Sequence, residues 1–306
     1  MMVVDDLAGF SRPLGGSAVS IGAYDGVHLG HQQLLARLRA VAAERSCASA
    51  VVTFDRHPAL VVRPDSAPML LTDLETRLEL LAATGIDYTV VLHFDAARSR
   101  EPAEDFVRTV LVDALDAKVV AVGRDFHFGH NREGNVAFLE RLGPTLGFDV
   151  LPVELFDDGR GGSVKVSSTR VRTALAEGDV VTAAALLGRP HLVRGPVVAT
   201  GHAGFPTATV AVPQEICLPA DGLYAGWYRG PDAIRHAAAV SVTGGPAGRG
   251  HPVEAYLLDG GGVGARDTEA VVEFAARLGG SDRPDAGTIL ADRVGREMEA
   301  ILAALR

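Results

Sequence analysis

Cysteine is scarce in this 306-residue chain, and its two examples, Cys47 and Cys217, lie far apart with no CxxC spacing. Their separation excludes a disulfide framework or a zinc site built on thiolate pairs, and it fits a reducing compartment. Positive charge is also short: 29 Lys and Arg stand against 38 Asp and Glu, a formal net charge of −9. Such a balance gives no support for non-specific binding to nucleic acid or to an anionic membrane, although it leaves room for a local basic pocket. No apolar run is long enough to cross a bilayer. The opening MMVVDDLAGF places acidic residues where a secretory signal needs a basic end and an apolar core. The expectation is a soluble, cytoplasmic protein; the composition does not fix its oligomeric state.

What is present is ordinary globular composition, 47% hydrophobic and 22% charged, in a chain longer than one compact core usually holds. Two domains are therefore expected. Up to about residue 186, short β-branched runs alternate with helical patterns. SAVSIGAY, CASAVVTF, YTVVLHF, AKVVAVG and FDVLPVEL read as strands. GHQQLLARLRAVAAE, DLETRLELLAATG, PAEDFVRTVLVDAL and NVAFLERLGPTLG read as helices, the second closed by Gly85. Strands this apolar, separated by helices, predict an α/β domain with a mainly parallel sheet covered on both faces. SSTRVRTALAEGDVVTAAALLGRP adds two short helices broken at Gly178. From His191 onward come short strands, many glycines and prolines, and a closing amphipathic helix, a pattern that predicts a small β-barrel. The boundary falls near Gly188, giving domains 1–188 and 189–306. The stretch LLDGGGVGARD, Leu257 to Asp267, reads as a flexible loop, because no helix start with Lys and Ser/Thr follows in the register of a phosphate cradle.

Ligands of open α/β sheets bind beyond the carboxyl ends of the strands, with phosphates at the next helix N-terminus. Residues Gly22 to His31, GAYDGVHLGH, occupy that place. Gly22 and Gly26 suit a tight turn, Gly30 allows a close approach to the helix start, and the imidazoles of His28 and His31 can donate to phosphate oxygens. Two other readings stand beside this one: a polar helix cap with incidental histidines, or a metal pair, which lacks a third ligand nearby. A second element, VSSTRVR, brings Ser167, Ser168 and Thr169 to a helix start. They can cap it or donate to phosphate, while Arg170 or Arg172 neutralises charge.

HxGH joined to SSTxxR in one domain resembles the HIGH/ISSTxxR nucleotidyltransferases. More narrowly, GAYDGVHLGHQQLL, VVTFDRHP, LLTDLETRLELLAATGIDY, VGRDFHFGHNREGNVAFL and the SST segment resemble, in order, the FAD synthetase module of bacterial bifunctional riboflavin kinase/FAD synthetases. The resemblance implies a Rossmann-like nucleotidyltransferase domain that transfers AMP from ATP to FMN, giving FAD and pyrophosphate. Mg2+ would travel with the polyphosphate rather than in a dedicated protein site. It implies that His28, His31, Ser168 and Arg172 are catalytic. Gly22, Tyr24, Asp25, Gly30, Ser167, Thr169 and Arg170 would border the nucleotide. Phe54, His57, Pro58, Asp125, Phe126 and Phe128 would form the flavin site. Without the resemblance, Phe54 and Phe126 also fit a core, His57 an exposed loop and Asp125 a turn cap. The partners implied are small molecules, ATP and FMN or a flavin analogue.

The tail resembles the riboflavin kinase module through GFPTATV, LPADGLYAGWY and VEAYLLD. It departs from that family where phosphates should be held. The family's basic, glycine-rich loop before GFPTAN is replaced by the shorter VVATGHAGFPTAT, which has no Lys or Arg, and the PTAN asparagine is Thr209. The NIGxxPTF region reads SVTGGPAGRG, and the basic run near the flavin reads RLGGSDRPD. Thr207 and the presumptive base Glu254 remain. A general base contributes about 10²–10⁴-fold, but it has nothing to serve without bound ATP, so the expectation is an inactive kinase domain. Two other functions remain open: a paralogue that transfers a nucleotide to a modified flavin or another phosphate ester, and a non-catalytic flavin- or nucleotide-binding regulator.

Overall fold

The computed structural model describes residues 1–154, 166–202, 205–244, 251–279, 294 and 298–305. Contacts divide the chain into two compact units, Met1–Pro68 with Leu74–Val166, and Met69–Asp73 with Ser167–Arg306.

The first unit is a six-stranded parallel sheet. Its strands are β1 (Met2–Val4), β2 (Ser17–Ile21), β3 (Ala48–Phe54), β4 (Tyr88–Leu92), β5 (Ala117–Gly123) and, after a two-residue hairpin of β6 (His127–Phe128) with β7 (Gly134–Asn135), β8 (Asp149–Val153). The order is β1-β4-β3-β2-β5-β8, which reverses direction of progression at β2 and opens a crevice there. Period-two alternation sorts the apolar side chains onto two faces. Val19, Ile21, Ala50, Val52, Val120 and Val122 join one core with Phe106, Leu111, Leu115 and Leu139. Ala18, Val51, Val119 and Ala121 join the other, with Leu34, Leu35, Leu38, Leu81 and Ile86. Helix α1 (Leu29–Glu44) supplies its leucines to the second core. Leu35 and Leu38 are fully buried, each worth about 1.5–3 kcal/mol. A short α2 (Ala59–Val62) and α3 (Leu74–Ala83) follow β3. The expected helix after Pro102 is α4 (Ala103–Phe106) running into a π-helix over Val107–Ala114, and α5 (Val136–Leu146) ends at Gly147. Sequence periodicity missed β1, three residues on the sheet edge that pair only with β4.

The second unit is a closed antiparallel barrel of β9 (His191–His202), β10 (Pro206–Val212), β11 (Gly222–Arg229), β12 (Arg235–Val242), β13 (His251–Leu257) and β14 (Glu269–Gly279), ordered β10-β13-β12-β11-β14-β9. Near the C-terminus, Val294 and, in the helical stretch 298–304, Ile301 are both fully buried on a core with Leu223, Ala225, Ala239 and Tyr256. Helices α6 (Ser168–Ala176) and α7 (Val180–Leu187) pack in this unit. The Arg277 guanidinium donates to the Glu177 and Asp221 carbonyls, and the Ala220 N–H to Leu175. The contact boundary at Val166 and the change of sequence character at Gly188 therefore fall at different places, because these links are long-range.

The glycine-dense loop after β13, read from sequence as flexible, is fastened at two points. The Tyr228 hydroxyl donates to the Val263 carbonyl. His236, only 7% exposed, places Nδ1 3.0 Å from Asp259 and Nε2 3.2 Å from Asp232. A Cβ on Gly261 would lie 2.2 Å from that ring, so the loop's composition makes room for the histidine. Burial alone would lower the His236 pKa, but hydrogen bonds to two carboxylates outweigh it and raise the value above 6.5. A raised folded pKa gives stability that is present below the unfolded value and lost as pH rises through the folded one. Stability of the full chain to urea should therefore fall as pH climbs above about 6.5, and His236→Gln should remove that part of the slope.

Candidate functional site

The turn between β2 and α1 is unusual in its backbone before any side chain is considered. Tyr24, Gly26 and Val27 all have positive φ, at 51°, 81° and 39°. Glycine takes this freely, but a β-branched valine there is an outlier, costing on the order of 1–3 kcal/mol. Such strain persists where surrounding structure over-determines it, and here the anchors are visible. The buried Tyr24 hydroxyl donates to Ser20 Oγ at 2.7 Å, and Ser20 in turn to the Ala121 carbonyl of β5 at 2.6 Å. Burial raises the Tyr24 pKa far above its ordinary value, so the phenol stays protonated as a donor. Arg77 of α3, 4% exposed, donates to the Ala23 carbonyl at 2.9 Å and to the Phe54 carbonyl at 2.5 Å. It thereby staples the turn to the end of β3. Sequence reading missed Arg77, since it sits in an ordinary helical pattern and acts across the sheet.

The histidines meet at the helix start. His28 is the N-cap of α1, and the His31 N–H donates to its Nδ1 at 3.3 Å. The polar-cap reading is thus true of the geometry, and it has a chemical consequence. With Nδ1 accepting, a neutral His28 carries its proton on Nε2. The two rings stack at 3.7 Å and 16°. Two charges at that separation would repel by about 4 kcal/mol at an effective dielectric near 20, so the pair holds at most one proton in excess. Burial, then the adjacent His28, hold the His31 pKa well below 6.5. His31 Nδ1 is buried with no hydrogen-bond partner among the described residues. Asp25 and His28 are each 3% exposed. No group of three or more His, Cys, Asp or Glu among the described residues could hold a metal ion.

The glycines serve differently from expectation. Gly26 supplies the left-handed turn, but Gly22 does not have positive φ; a Cβ there would meet the Tyr24 ring at 3.1 Å. A Cβ on Gly30 would meet the His28 imidazole at 3.2 Å and the Val166 carbonyl at 3.6 Å. Gly30 therefore makes room for the capping imidazole, a demand that local sequence does not display.

Phe54 closes β3, is partly buried against the core and meets Phe94 edge-on at 5.1 Å. His57 Nδ1 accepts the Ala59 N–H at 3.1 Å, and Pro58 is the N-cap of α2. Asp125 is exposed in the turn after β5, with its carbonyl 2.9 Å from His127 Nδ1. Phe126 and Phe128 stack at 5.5 Å, and both, like Phe54, pack partly buried on the core, as the core-aromatic reading of Phe54 and Phe126 allowed.

In the second unit, Ser167 caps α6, accepting from the Arg170 N–H at 3.3 Å, and Ser168 and Thr169 form its first turn. Arg172 Nε donates to the Met69 carbonyl at 2.5 Å, while Arg170 Nη1 is buried without a partner among the described residues. On the barrel, Thr209 and Glu254 are direct cross-strand partners, as are Thr207 and Tyr256. The Tyr256 hydroxyl donates to Glu254 at 3.0 Å. His202 pairs with Pro206, leaving 203–205 to join β9 to β10. Parts of the VVATGHAGFPTAT, SVTGGPAGRG and RLGGSDRPD stretches, namely 203–204, 245–250 and 280–285, lie outside the described residues.

Residues 11–170 match the FAD synthetase family and residues 187–303 the riboflavin kinase family. Among curated proteins, the bifunctional riboflavin kinase/FMN adenylyltransferase of Escherichia coli K12 is 37% identical over 217 residues, 70% of this chain and 68% of that protein. Its namesake from Haemophilus influenzae is 34% identical over 74% of this chain and 73% of its own length. A crystal structure described as a macrolide-efflux protein from Streptococcus pneumoniae matches with a TM-score of 0.80 at 25% identity, over 98% of each chain. Among the described residues, no helix is long and apolar enough to cross a membrane.

Replacing glycine by alanine within a helix ordinarily gains about 1 kcal/mol. Gly30→Ala should show no gain, or a loss, because the methyl group competes with the His28 ring. Urea unfolding of the full chain reads the sign.

Proposed function

The chain belongs to the bifunctional riboflavin kinase/FMN adenylyltransferase family, and from that premise we propose that it makes FAD by adenylyl transfer and no longer phosphorylates riboflavin. The protein is a nucleotidyltransferase, and its substrates are ATP, as the magnesium complex, and FMN. An FMN phosphate oxygen attacks the α-phosphorus of ATP in line, and pyrophosphate leaves with the bond electrons; no covalent enzyme intermediate is needed. Chemistry of this kind asks a protein for positioning and charge stabilisation. The stacked histidine pair on the N-terminus of α1 is the observation that carries the reading. His28 Nε2–H and the His31 imidazole serve as fixed donors to phosphate oxygens, in a turn whose strain is offset by Tyr24, Ser20 and Arg77. Gly22, Asp25 and Gly30 border the nucleotide. Ser167, Ser168, Thr169, Arg170 and Arg172 are assigned to the polyphosphate and its departing half. The Arg170 Nη1, buried without a partner among the described residues, and the absence of acidic residues from the first turn of α6 favour an anion there. Phe54, His57, Pro58, Asp125, Phe126 and Phe128 are assigned to the flavin. Magnesium rides on the phosphates.

Loss of the kinase rests on the β9–β10 hairpin. With His202 paired to Pro206, the strands leave three positions for a phosphate-wrapping loop, and residues 197–209 contain no Lys or Arg. Glu254 survives as a base without an ATP cradle, engaged with Tyr256. Domains 1–188 and 189–306 are the functional division this implies, in a cytoplasmic enzyme acting on small molecules.

Pyrophosphate release should appear with ATP and FMN. His31→Ala should lower turnover about 10²–10³-fold, the range for losing one positioned donor, with its unfolding midpoint unchanged. Riboflavin should give no FMN. Turnover confined to another acceptor or nucleoside triphosphate would favour a specialised paralogue, and binding without any turnover a regulator. Normal riboflavin phosphorylation would contradict the kinase assignment.

A further inference from the structure

At the carboxyl ends of β3 and β4 stands a histidine that no role described above employs. His93 Nδ1 lies 2.7 Å from Asp55 Oδ2, and the other carboxylate oxygen of Asp55 accepts the Phe94 N–H at 2.9 Å. Arg56 donates to the same Oδ2 at 3.2 Å. Asp55 follows Phe54, the residue whose carbonyl Arg77 ties to the histidine turn, and it precedes His57 and Pro58. Its side chain is 25% exposed, whereas that of His93 is 62% exposed. Burial would raise the Asp55 pKa, but the Phe94 amide, His93 and Arg56 outweigh it and lower the value. The carboxylate therefore stays charged and holds one face of the imidazole, with Nδ1 as its donor.

Structural duty does not account for this mount. The Phe94 amide already fastens Asp55 to the β4 end, and an ion pair as exposed as this one is worth little to stability, with a median of about 0–1 kcal/mol. An imidazole oriented by a carboxylate has a fixed tautomer and an outward Nε2. In a parallel sheet, the carboxyl edge is where ligands are met.

We propose that His93, oriented by Asp55, is a specificity-determining residue that binds the phosphate monoester of the acceptor through Nε2–H. The inference rests on the adenylyl-transfer reading for the identity of that acceptor, FMN. With Nδ1 donating to Asp55 and Nε2 to the phosphate, the bound ring is a charge-assisted donor, stronger than a neutral one, and the acceptor without a phosphate, riboflavin, gains nothing from it.

The test uses the full chain with His93→Ala and His93→Arg. Flavin-fluorescence titration without ATP should show FMN binding weakened about tenfold or more by His93→Ala, with riboflavin binding within twofold of the parent. In steady state, the KM for FMN should rise by a similar factor while the KM for ATP holds. His93→Arg should recover most of the loss. Unchanged FMN binding in His93→Ala, or equal losses for FMN and riboflavin, would overturn the proposal. Failure of the parent chain to form FAD would instead count against the adenylyl-transfer reading, and the FMN-against-riboflavin titration would still decide His93.

Discussion

The hydrogen bond from the His31 N–H to His28 Nδ1 sets the geometry of the whole β2–α1 turn, the one proposed to face the nucleotide. One bond does three things at once. It caps a sixteen-residue helix with an imidazole in place of the usual Ser, Thr, Asp or Asn. It assigns the His28 proton to Nε2, and it draws the two rings into a stack too close for both to be charged. A carboxylate cap would have satisfied the helix as well, but it would have filled the N-terminus with negative charge and repelled a polyphosphate. The cap geometry and the proposed phosphate role of HxGH are therefore compatible, since the cap fixes how the rings are aimed.

Much of the surrounding structure maintains that arrangement. Tyr24 and Val27 remain in left-handed conformations because the Tyr24 hydroxyl reaches Ser20 and Ala121, and Arg77 gathers the Ala23 and Phe54 carbonyls. Gly22 and Gly30 are small because an aromatic ring lies over each. Through Arg77, the histidine turn and the β3 end are mechanically linked, so the proposed nucleotide and acceptor sides of one reaction share a buried guanidinium.

The sequence made the α/β alternation legible because each strand there is a short apolar run and each helix carries leucines at helical spacing. AKVVAVG is found as β5 to the residue. The placement of both turns at helix starts was legible too, since glycine, histidine and hydroxyl residues ahead of a helical run form a local pattern. What escaped was long-range. Arg77 looks like any helical arginine until its carbonyl partners are brought 23 and 54 positions nearer by the fold. Helices α6 and α7 follow the α/β sequence yet pack through Arg277 and Ala220, and β1 is too short to announce itself. The run of glycines after β13 reads as slack chain, but it answers to the bulk of His236.

If the cap bond governs the turn, the imidazoles themselves must report it. Nitrogen-15 NMR of the histidine side chains across pH 5 to 8 is the direct measurement. The account predicts that His28, when neutral, carries its proton on Nε2 with Nδ1 accepting, and that His31 remains neutral throughout, as its lowered pKa requires. A His31 that titrates near the ordinary 6.5, or a His28 protonated at Nδ1 when neutral, would contradict it.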